Sequence, residues 1–284
     1  MSNVAIVVVF FHPTNRQIKQ FLELSRTYTV IAVDNSEFSN GVFHGENFIY
    51  LPQFKNRGIA CAQNIGIKKL KEIGVRYVIF FDQDSEIGVE FIENLYAEYI
   101  KVSENDLYIG AIGPTIINKK NLEPYKMKIE PCKSADYYKV TSLISSGTLT
   151  NMEVIYKVGL MENDLFIDYV DFEWCWRLLD KGYHLYVSSN VRLLHSVGDN
   201  DSRFLGFPII ISSPFRYYYK NRNAILLFNR NYVPSVWKWK TLARLLFSYI
   251  HMLYSSCYKG KRWSYISNSI SGFFDGLKCI VRGK

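Results

Sequence analysis

Cysteine is scarce in this chain. Its five thiols, Cys61, Cys132, Cys175, Cys257 and Cys279, are odd in number and scattered, with no Cys-x-x-Cys pair. That pattern excludes a disulfide framework and a cysteine zinc site, and it points to reduced thiols in a cytosolic setting. Long apolar runs are missing too. No stretch reaches about 18 uninterrupted apolar residues, the usual mark of a spanning helix. The apolar start Val4–Phe11 is too short to span and has no Lys or Arg before it, as a secretory signal requires. Acidic residues are lacking in one region only. From Arg216 to Lys284 there are 13 Lys and Arg against a single acid, Asp275, a net of +12, so residues 1–215 carry 21 bases and 25 acids, a net of −4 within the total of +8. Such asymmetry points to an anionic partner, a membrane surface or nucleic acid. Interleaved Tyr217, Tyr218, Tyr219, Lys220 and Arg222 could stack on bases, but no nucleic-acid-binding motif is present and that reading leaves the acidic clusters of the first 215 residues without a purpose.

What is present is the composition of a folded globular protein, 48% hydrophobic and 21% charged. The densest signal is Tyr77-Val78-Ile79-Phe80-Phe81-Asp82-Gln83-Asp84-Ser85. Its aromatic and β-branched run predicts a strand buried on both faces, so charge can emerge only at its end. Val4–Phe11, Thr29–Val33 and Phe48–Leu51 predict three further strands, and Asp34-Asn35-Ser36 closes the second. Ile18, Phe21 and Leu22 mark a helix started by Pro13-Thr14-Asn15, and the small residues after Asn56-Arg57-Gly58 predict another, running to about Ile73. Such β-α alternation predicts a parallel sheet wrapped by helices, whose carboxyl edge collects Asp34, Asn35, Asp82 and Asp84. Two carboxylates one residue apart suit Mg²⁺ or Mn²⁺ carrying a phosphate, although an acidic turn would use the same residues.

Downstream, Tyr108–Gly113 predicts a strand, Asn118–Lys139 a surface loop, and Ser145-Ser146-Gly147 a place where a ligand or a packed element approaches the backbone. In Phe166-Ile167-Asp168-Tyr169-Val170-Asp171-Phe172-Glu173-Trp174 a helix beginning near Tyr169 puts Asp171 in its first turn, and Glu173 and Arg177 four apart pair structurally. Two strands follow, Tyr183–Val187 and one from Val191 that ends at His195, a candidate third metal ligand if its strand joins the sheet in parallel.

Together Asp34-Asn35-Ser36, Asn56-x-Gly58 with Ala62-Gln63-Asn64-x-Gly66, Asp82-Gln83-Asp84-Ser85, the Phe166–Trp174 run and His195-x-x-Gly198 resemble family 2 glycosyltransferases, and more narrowly the bacterial rhamnosyltransferases that build O-antigen and capsule polysaccharides. The resemblance covers roughly residues 4 to 230. It implies a GT-A fold over residues 1–215, with a donor-binding half (1–115) and an acceptor and catalytic half (116–215), ahead of a basic helical tail (216–284). It also implies a dTDP-β-L-rhamnose donor, with a UDP-hexose or UDP-galactofuranose as the alternative, transfer with inversion, and a polyprenyl-diphosphate-linked saccharide acceptor. On this resemblance Asp34 bonds the pyrimidine, with Phe11, His12 and Pro13 at the pocket edge, and Asn35, Asn56, Gly58, Asn64 and Gln83 on the donor side. Asp82, Asp84 and His195 hold Mg²⁺ or Mn²⁺. Asp171 is the base with Asp168 as runner-up, and Gly147, Asp168, Glu173 and Trp174 lie on the acceptor side. Relatives often carry an acid where this chain has Val170, and a polar pair where it has Phe10-Phe11.

In the tail, Leu242, Leu245, Leu246, Tyr249, Ile250 and Leu253 line one helical face, and Trp263, Ile266, Ile270, Phe273, Leu277 and Ile280 another, flanked by Lys and Arg. Basic amphipathic helices suit an anionic membrane surface, here the inner face of the bacterial plasma membrane. The same faces would also serve for packing on the catalytic domain or for a homodimer.

Overall fold

The computed structural model describes residues 3–41, 43, 45–125, 129–130, 136–195, 200–204, 207–255, 258 and 260–282. Its first compact unit takes the chain up to Phe166 and Val170–His195; the second takes Ile167–Tyr169 and the described residues beyond His195. The described residues 200–204 and 207–215, expected with the catalytic part, therefore group with the tail.

In the first unit the order is β1 (Val4–Phe10), α1 (Asn15–Leu24), β2 (Thr29–Asp34), β3 (Phe48–Pro52), α2 (Ile59–Ile73), β4 (Tyr77–Asp82), α3 (Val89–Asn105), β5 (Ile109–Asn118), β6 (Ile129–Glu130), β7 (Tyr137–Val140), β8 (Leu149–Asn151), α4 (Met152–Val158), α5 (Val170–Asp180) and β9 (His184–His195). Local chemistry explains the boundaries. Thr14 and Gln17 form a reciprocal capping box that starts α1, and Gly74, in the left-handed region at φ 79°, ends α2 by donating its N–H to Leu70 and Lys71.

The nine strands form one sheet, ordered β3-β2-β1-β4-β8-β5-β9-β7-β6. β8 opposes β4 and β5, and β7 opposes β9 and β6, so all strands of the sheet but these two run one way. Tyr77 through Phe81 are all buried, as the sequence predicts for a central strand, and Ile79 and Phe81 share a core with Val8, Phe10, Phe21 and Leu95. Phe10 pairs with Asp34, Val9 with Asp82 and Asn118 with His195, so Asp34, Asp82 and His195 all stand at the carboxyl edge.

Three sequence expectations change. The two strands expected around 183–195 are one, because β9 carries a bulge: its register with β5 jumps from Pro114↔Ser188 to Thr115↔Arg192, and the Ser188 hydroxyl accepts the Asn190 and Val191 N–H groups. The strand expected to stop at Gly113 continues through Pro114 to Asn118, since the same jump spares the proline a ladder donor. The expected loop at 118–139 contains β6 and most of β7, and β8 forms at Leu149–Asn151, where no strand was expected. These strands of two to four residues are too short to show a hydrophobic period.

The second unit has a hairpin, β10 (Asn200–Phe204) with β11 (Phe207–Ile211), then α6 (Pro214–Phe228), α7 (Ser235–Tyr254) and α8 (Arg262–Val281). Ser213 caps α6, and Pro214 follows at the first helical position. Of its expected apolar row, α8 packs Ile266 against the cluster of Tyr217, Met252 and Tyr258 but leaves Trp263, Ile270 and Leu277 exposed. It lays Gly272 and Gly276 against α6, so closely that a Cβ on Gly272 would collide with the Tyr218 carbonyl oxygen, while buried Ser269 meets Met252 of α7. Gly272→Ala should therefore destabilise this unit by about 1–3 kcal/mol through overpacking, read as a lower melting temperature; an unchanged one would refute the tight α6–α8 contact. On α7 the buried residues are Thr241, His251 and Met252, while Leu246, Ile250 and Leu253 of the expected apolar face are exposed, as are Trp263, Ile270 and Leu277 of α8. Among the described residues no helix is long and apolar enough to cross a membrane. Cys61, Cys175 and Cys279 are free thiols; Cys132 and Cys257 lie outside the described residues, as does Gly198 of the His195-x-x-Gly198 motif.

Candidate active site

At the end of β2, Asp34 is 1% exposed and receives four donors. Oδ1 accepts the Ser36 N–H at 2.9 Å and its hydroxyl at 2.6 Å; Oδ2 accepts the Tyr50 hydroxyl at 2.6 Å and the Asn40 amide at 2.5 Å. Burial alone would raise its pKa, but the bonds from Ser36, Tyr50 and Asn40 outweigh it and hold the carboxyl below its ordinary value. The Gln83 side chain clamps the Phe11 backbone from both sides, accepting its N–H at 2.8 Å and donating to its carbonyl at 3.1 Å. His12, left-handed at φ 48°, donates its N–H to the Ser36 hydroxyl at 2.8 Å, and Pro13 follows half-buried. Asp34, Phe11, His12, Pro13 and Gln83 thus form one bonded edge.

The turn after β4 is braced from below. Ser146 shares a 2.5 Å hydroxyl contact with buried Ser85 and accepts the Asp82 N–H at 3.4 Å, while Gly147 donates its N–H to the Phe80 carbonyl at 2.8 Å. Gly147 has φ 81°, and a Cβ there would meet Pro114 at 2.8 Å, so this glycine serves packing. With that support Asp84 is exposed and Asp82 half-buried at the sheet edge. Burial lowers the pKa of His195 despite the opposing Asp84 charge, with Lys119 adding to the lowering. A histidine near a carboxylate at this edge is a pair of side chains whose chemistry fits a divalent cation. Among the described residues, no three or more His, Cys, Asp and Glu side chains form a ready-made metal cluster, so Asp82 does not close a three-ligand cage with that pair.

Asp171 lies in the first turn of α5, where the helix dipole favours a carboxylate. It borders a pocket walled by Gln63, Ser145, Met161 and Trp174. Trp174 donates its indole N–H to the Gly159 carbonyl at 3.0 Å. Glu173, fully buried, forms a two-point pair with Arg177 at 2.6 and 2.9 Å, and Arg177 also donates to the Val158 and Leu160 carbonyls, so Glu173 is a structural anchor. Three expected donor-side residues likewise hold the fold together. Asn64 bonds Met161 through both its amide groups, Asn35 donates to the Gly58 carbonyl at 3.1 Å, and Asn56 accepts the Gly58 N–H at 2.9 Å. Gly58, at φ 81°, lets Phe166 pack where a Cβ would stand 2.6 Å from its ring, and Ile59 donates to the Phe166 carbonyl at 2.7 Å.

Within the second unit Asp168 is gripped. Arg216 binds its carboxylate through Nη2 and through Nε at 3.2 Å, and Asn223 donates to the carbonyls of Ile167 at 2.8 Å and Asp168 at 3.0 Å. Asp168 and Tyr169 are both left-handed, at φ 64° and 66°, a conformation that non-glycine residues adopt only when their surroundings impose it.

No protein-family model matches the chain. It is 32% identical to dTDP-rhamnosyl transferase RfbF of Shigella flexneri over 297 residues, covering 99% of this chain and 98% of that protein. The chain belongs to the family 2 glycosyltransferases. This glycosyltransferase is also 22% identical to the low-salt glycan biosynthesis hexosyltransferase Agl10 of Haloferax volcanii, over 98% of this chain and 92% of that one. Its fold matches the GT-A structure of GalNAc-T7 with UDP, GalNAc and Mn²⁺, at a TM-score of 0.56 and 16% identity, over 98% of this chain and 56% of that one. The expected GT-A fold is thereby borne out.

In this glycosyltransferase one sheet edge carries Asp34, Asp82, Asp84 and His195, as the strand ends predict, with Asp34 five strands from His195. Sequence reasoning passed over Tyr50 and Asn40, the partners of Asp34, and Arg216 and Asn223, which grip Asp168. A tyrosine hydroxyl in the otherwise apolar β3, adjacent to β2 in the sheet, was the one available signal for Tyr50; nothing local marks the other three.

Proposed function

We propose that this glycosyltransferase moves L-rhamnose from dTDP-β-L-rhamnose, with inversion, to a hydroxyl of a lipid-linked saccharide in cell-surface polysaccharide synthesis. The observation that carries this reading is the line of polar groups on one sheet edge, Asp34 for a base and Asp84 with His195 for a diphosphate, in a chain similar throughout to a dTDP-rhamnosyl transferase. Asp171 takes the proton of the acceptor hydroxyl as its oxygen bonds the anomeric carbon; the bond from that carbon to the diphosphate oxygen breaks, and dTDP departs with the electron pair. One base on the face opposite the leaving group gives inversion. Asp84 and His195, with Asp82 beside them, would hold Mg²⁺ or Mn²⁺, which supplies charge neutralisation at the diphosphate when bound. Asp168, spent on Arg216, is the weaker candidate for the base.

A thermal-shift panel of dTDP-, UDP- and GDP-sugars with and without Mn²⁺ tests the donor. The largest stabilisation is expected from dTDP-rhamnose with metal; stabilisation by a UDP-sugar alone overturns the rhamnosyl reading.

The acceptor's lipid places the reaction at the cytoplasmic face of the plasma membrane. Trp239, Leu246, Ile250 and Leu253 on α7 and Trp263, Ile270 and Leu277 on α8 are exposed, in a segment whose charge is net +12, a combination complementary to an anionic bilayer. In vesicle flotation at low salt the protein should rise with anionic vesicles and not with neutral ones. A protein that stays at the bottom with both, or whose faces are covered in a dimer by light scattering, overturns the membrane assignment.

A further inference from the structure

We propose that Asn40 is an internal stand-in for the donor's base: its amide occupies the acceptor position on Asp34 that a pyrimidine N3–H takes, and it must swing away for the nucleotide to bind. The inference rests on the reading that Asp34 receives the base, and deepens it.

A carboxylate has about four lone-pair sites, and in Asp34 all four are taken, by the Ser36 N–H, the Ser36 hydroxyl, the Tyr50 hydroxyl and the Asn40 amide. An incoming imide N–H therefore finds no vacant acceptor, and one donor has to leave. Ser36 is held close: it is two residues along the chain, 3% exposed, and its hydroxyl also accepts the His12 N–H. Tyr50 is fixed by the pairing of β3 with β2 and by an edge-on contact with Phe43 at 4.8 Å between centroids. Asn40 differs from both. It is exposed, on the stretch from Asn35 to Gly41 that forms neither helix nor strand, next to Phe38, which is 82% exposed.

Its chemistry also matches the ligand. A side-chain amide and a pyrimidine imide are both planar N–H donors, and the Asn40 bond to Asp34 Oδ2, at 2.5 Å, is of the kind an imide N–H would make. When Asn40 leaves, Tyr50 is the natural pivot. Its hydroxyl accepts the Asn40 backbone N–H at 3.0 Å while donating to Asp34, so the loop can release the amide's bonds to Asp34 and, at 3.4 Å, to the Ser36 hydroxyl and keep its backbone tie. The stand-in gives a rule of base selection: thymine and uracil, which carry an N3–H, can replace Asn40, whereas cytosine presents an acceptor at that position and leaves Asp34 facing it without a proton.

The test is calorimetric titration of the full chain, with Mn²⁺, by dTDP and dCDP, in wild type and Asn40→Ala. Wild type should prefer dTDP by tenfold or more. Asn40→Ala should bind dTDP about fivefold more tightly, the factor expected for one net hydrogen bond no longer competing, with dCDP affinity unchanged. Equal binding of dTDP and dCDP by wild type overturns the base reading and the proposal with it. A preference for dTDP with weaker or unchanged dTDP binding in Asn40→Ala overturns the stand-in alone, since Asn40 would then be supporting or touching the ligand.

Discussion

Asp171→Asn should lower kcat by roughly 10²- to 10⁴-fold, the usual share of a general base, with the donor KM little changed. The amide keeps the shape of the side chain and its position in the first turn of α5, but it cannot accept a proton from the acceptor hydroxyl. Asp168→Asn is the informative contrast. Its carboxylate, 7% exposed, is bound at two points by Arg216, and the backbone on either side is gripped by Asn223. Removing its charge breaks the two-point pair with Arg216, so the loss should be in stability, of about 1–3 kcal/mol for a charged hydrogen-bonded pair, and seen as a lower melting temperature. Below that temperature transfer should remain within tenfold of wild type. Near-normal transfer by Asp171→Asn together with a collapse in Asp168→Asn would exchange the two roles.

Asp84→Ala and His195→Ala should each cut turnover by about 10²-fold or more, since Lewis-acid neutralisation of a leaving diphosphate contributes several kcal/mol. They should also abolish the extra thermal stabilisation that Mn²⁺ adds to dTDP binding. Asp82→Asn should be milder in that metal-dependent readout, because Asp82 is not gathered with the pair into a three-ligand cluster. Chelation of wild type with EDTA should match the Asp84→Ala loss. If His195→Ala responds to Mn²⁺ as wild type does, His195 is no ligand. A larger metal defect in Asp82→Asn than in Asp84→Ala would move the ligand role to the first carboxylate of the turn.

The legible parts of this fold are those written in short stretches. The run from Tyr77 to Phe81 announces a strand with no solvent face, and its abrupt end at Asp82 announces the edge at which ligands collect. Thr14 and Gln17 announce a helix start, and Gly74 a helix stop. The tail was legible as helical but not in its orientation. Its apolar rows are the more hydrophobic faces, yet α8 meets α6 through Gly272 and Gly276, because glycine lets two backbones approach more closely than leucine does. β8 was unreadable for a related reason: three residues contain no period, and only the gap between β4 and β5 recruits them as a strand.

By itself, then, the amino-acid order determined the kinds of elements, their polarity at the strand ends, the charge of the tail and the identity of the residues at the sheet edge, because these follow from neighbours along the chain. Tertiary structure alone decided what those residues do with one another. Asn64 was expected near a donor and is spent on Met161, 97 residues away, and Asp168, a rival for the base, is spent on Arg216, 48 residues away. Asp34, expected on the resemblance to bond a base, is filled by Ser36, Tyr50 and Asn40. A buried polar group must find partners wherever packing brings them, and no local pattern records which partners arrive.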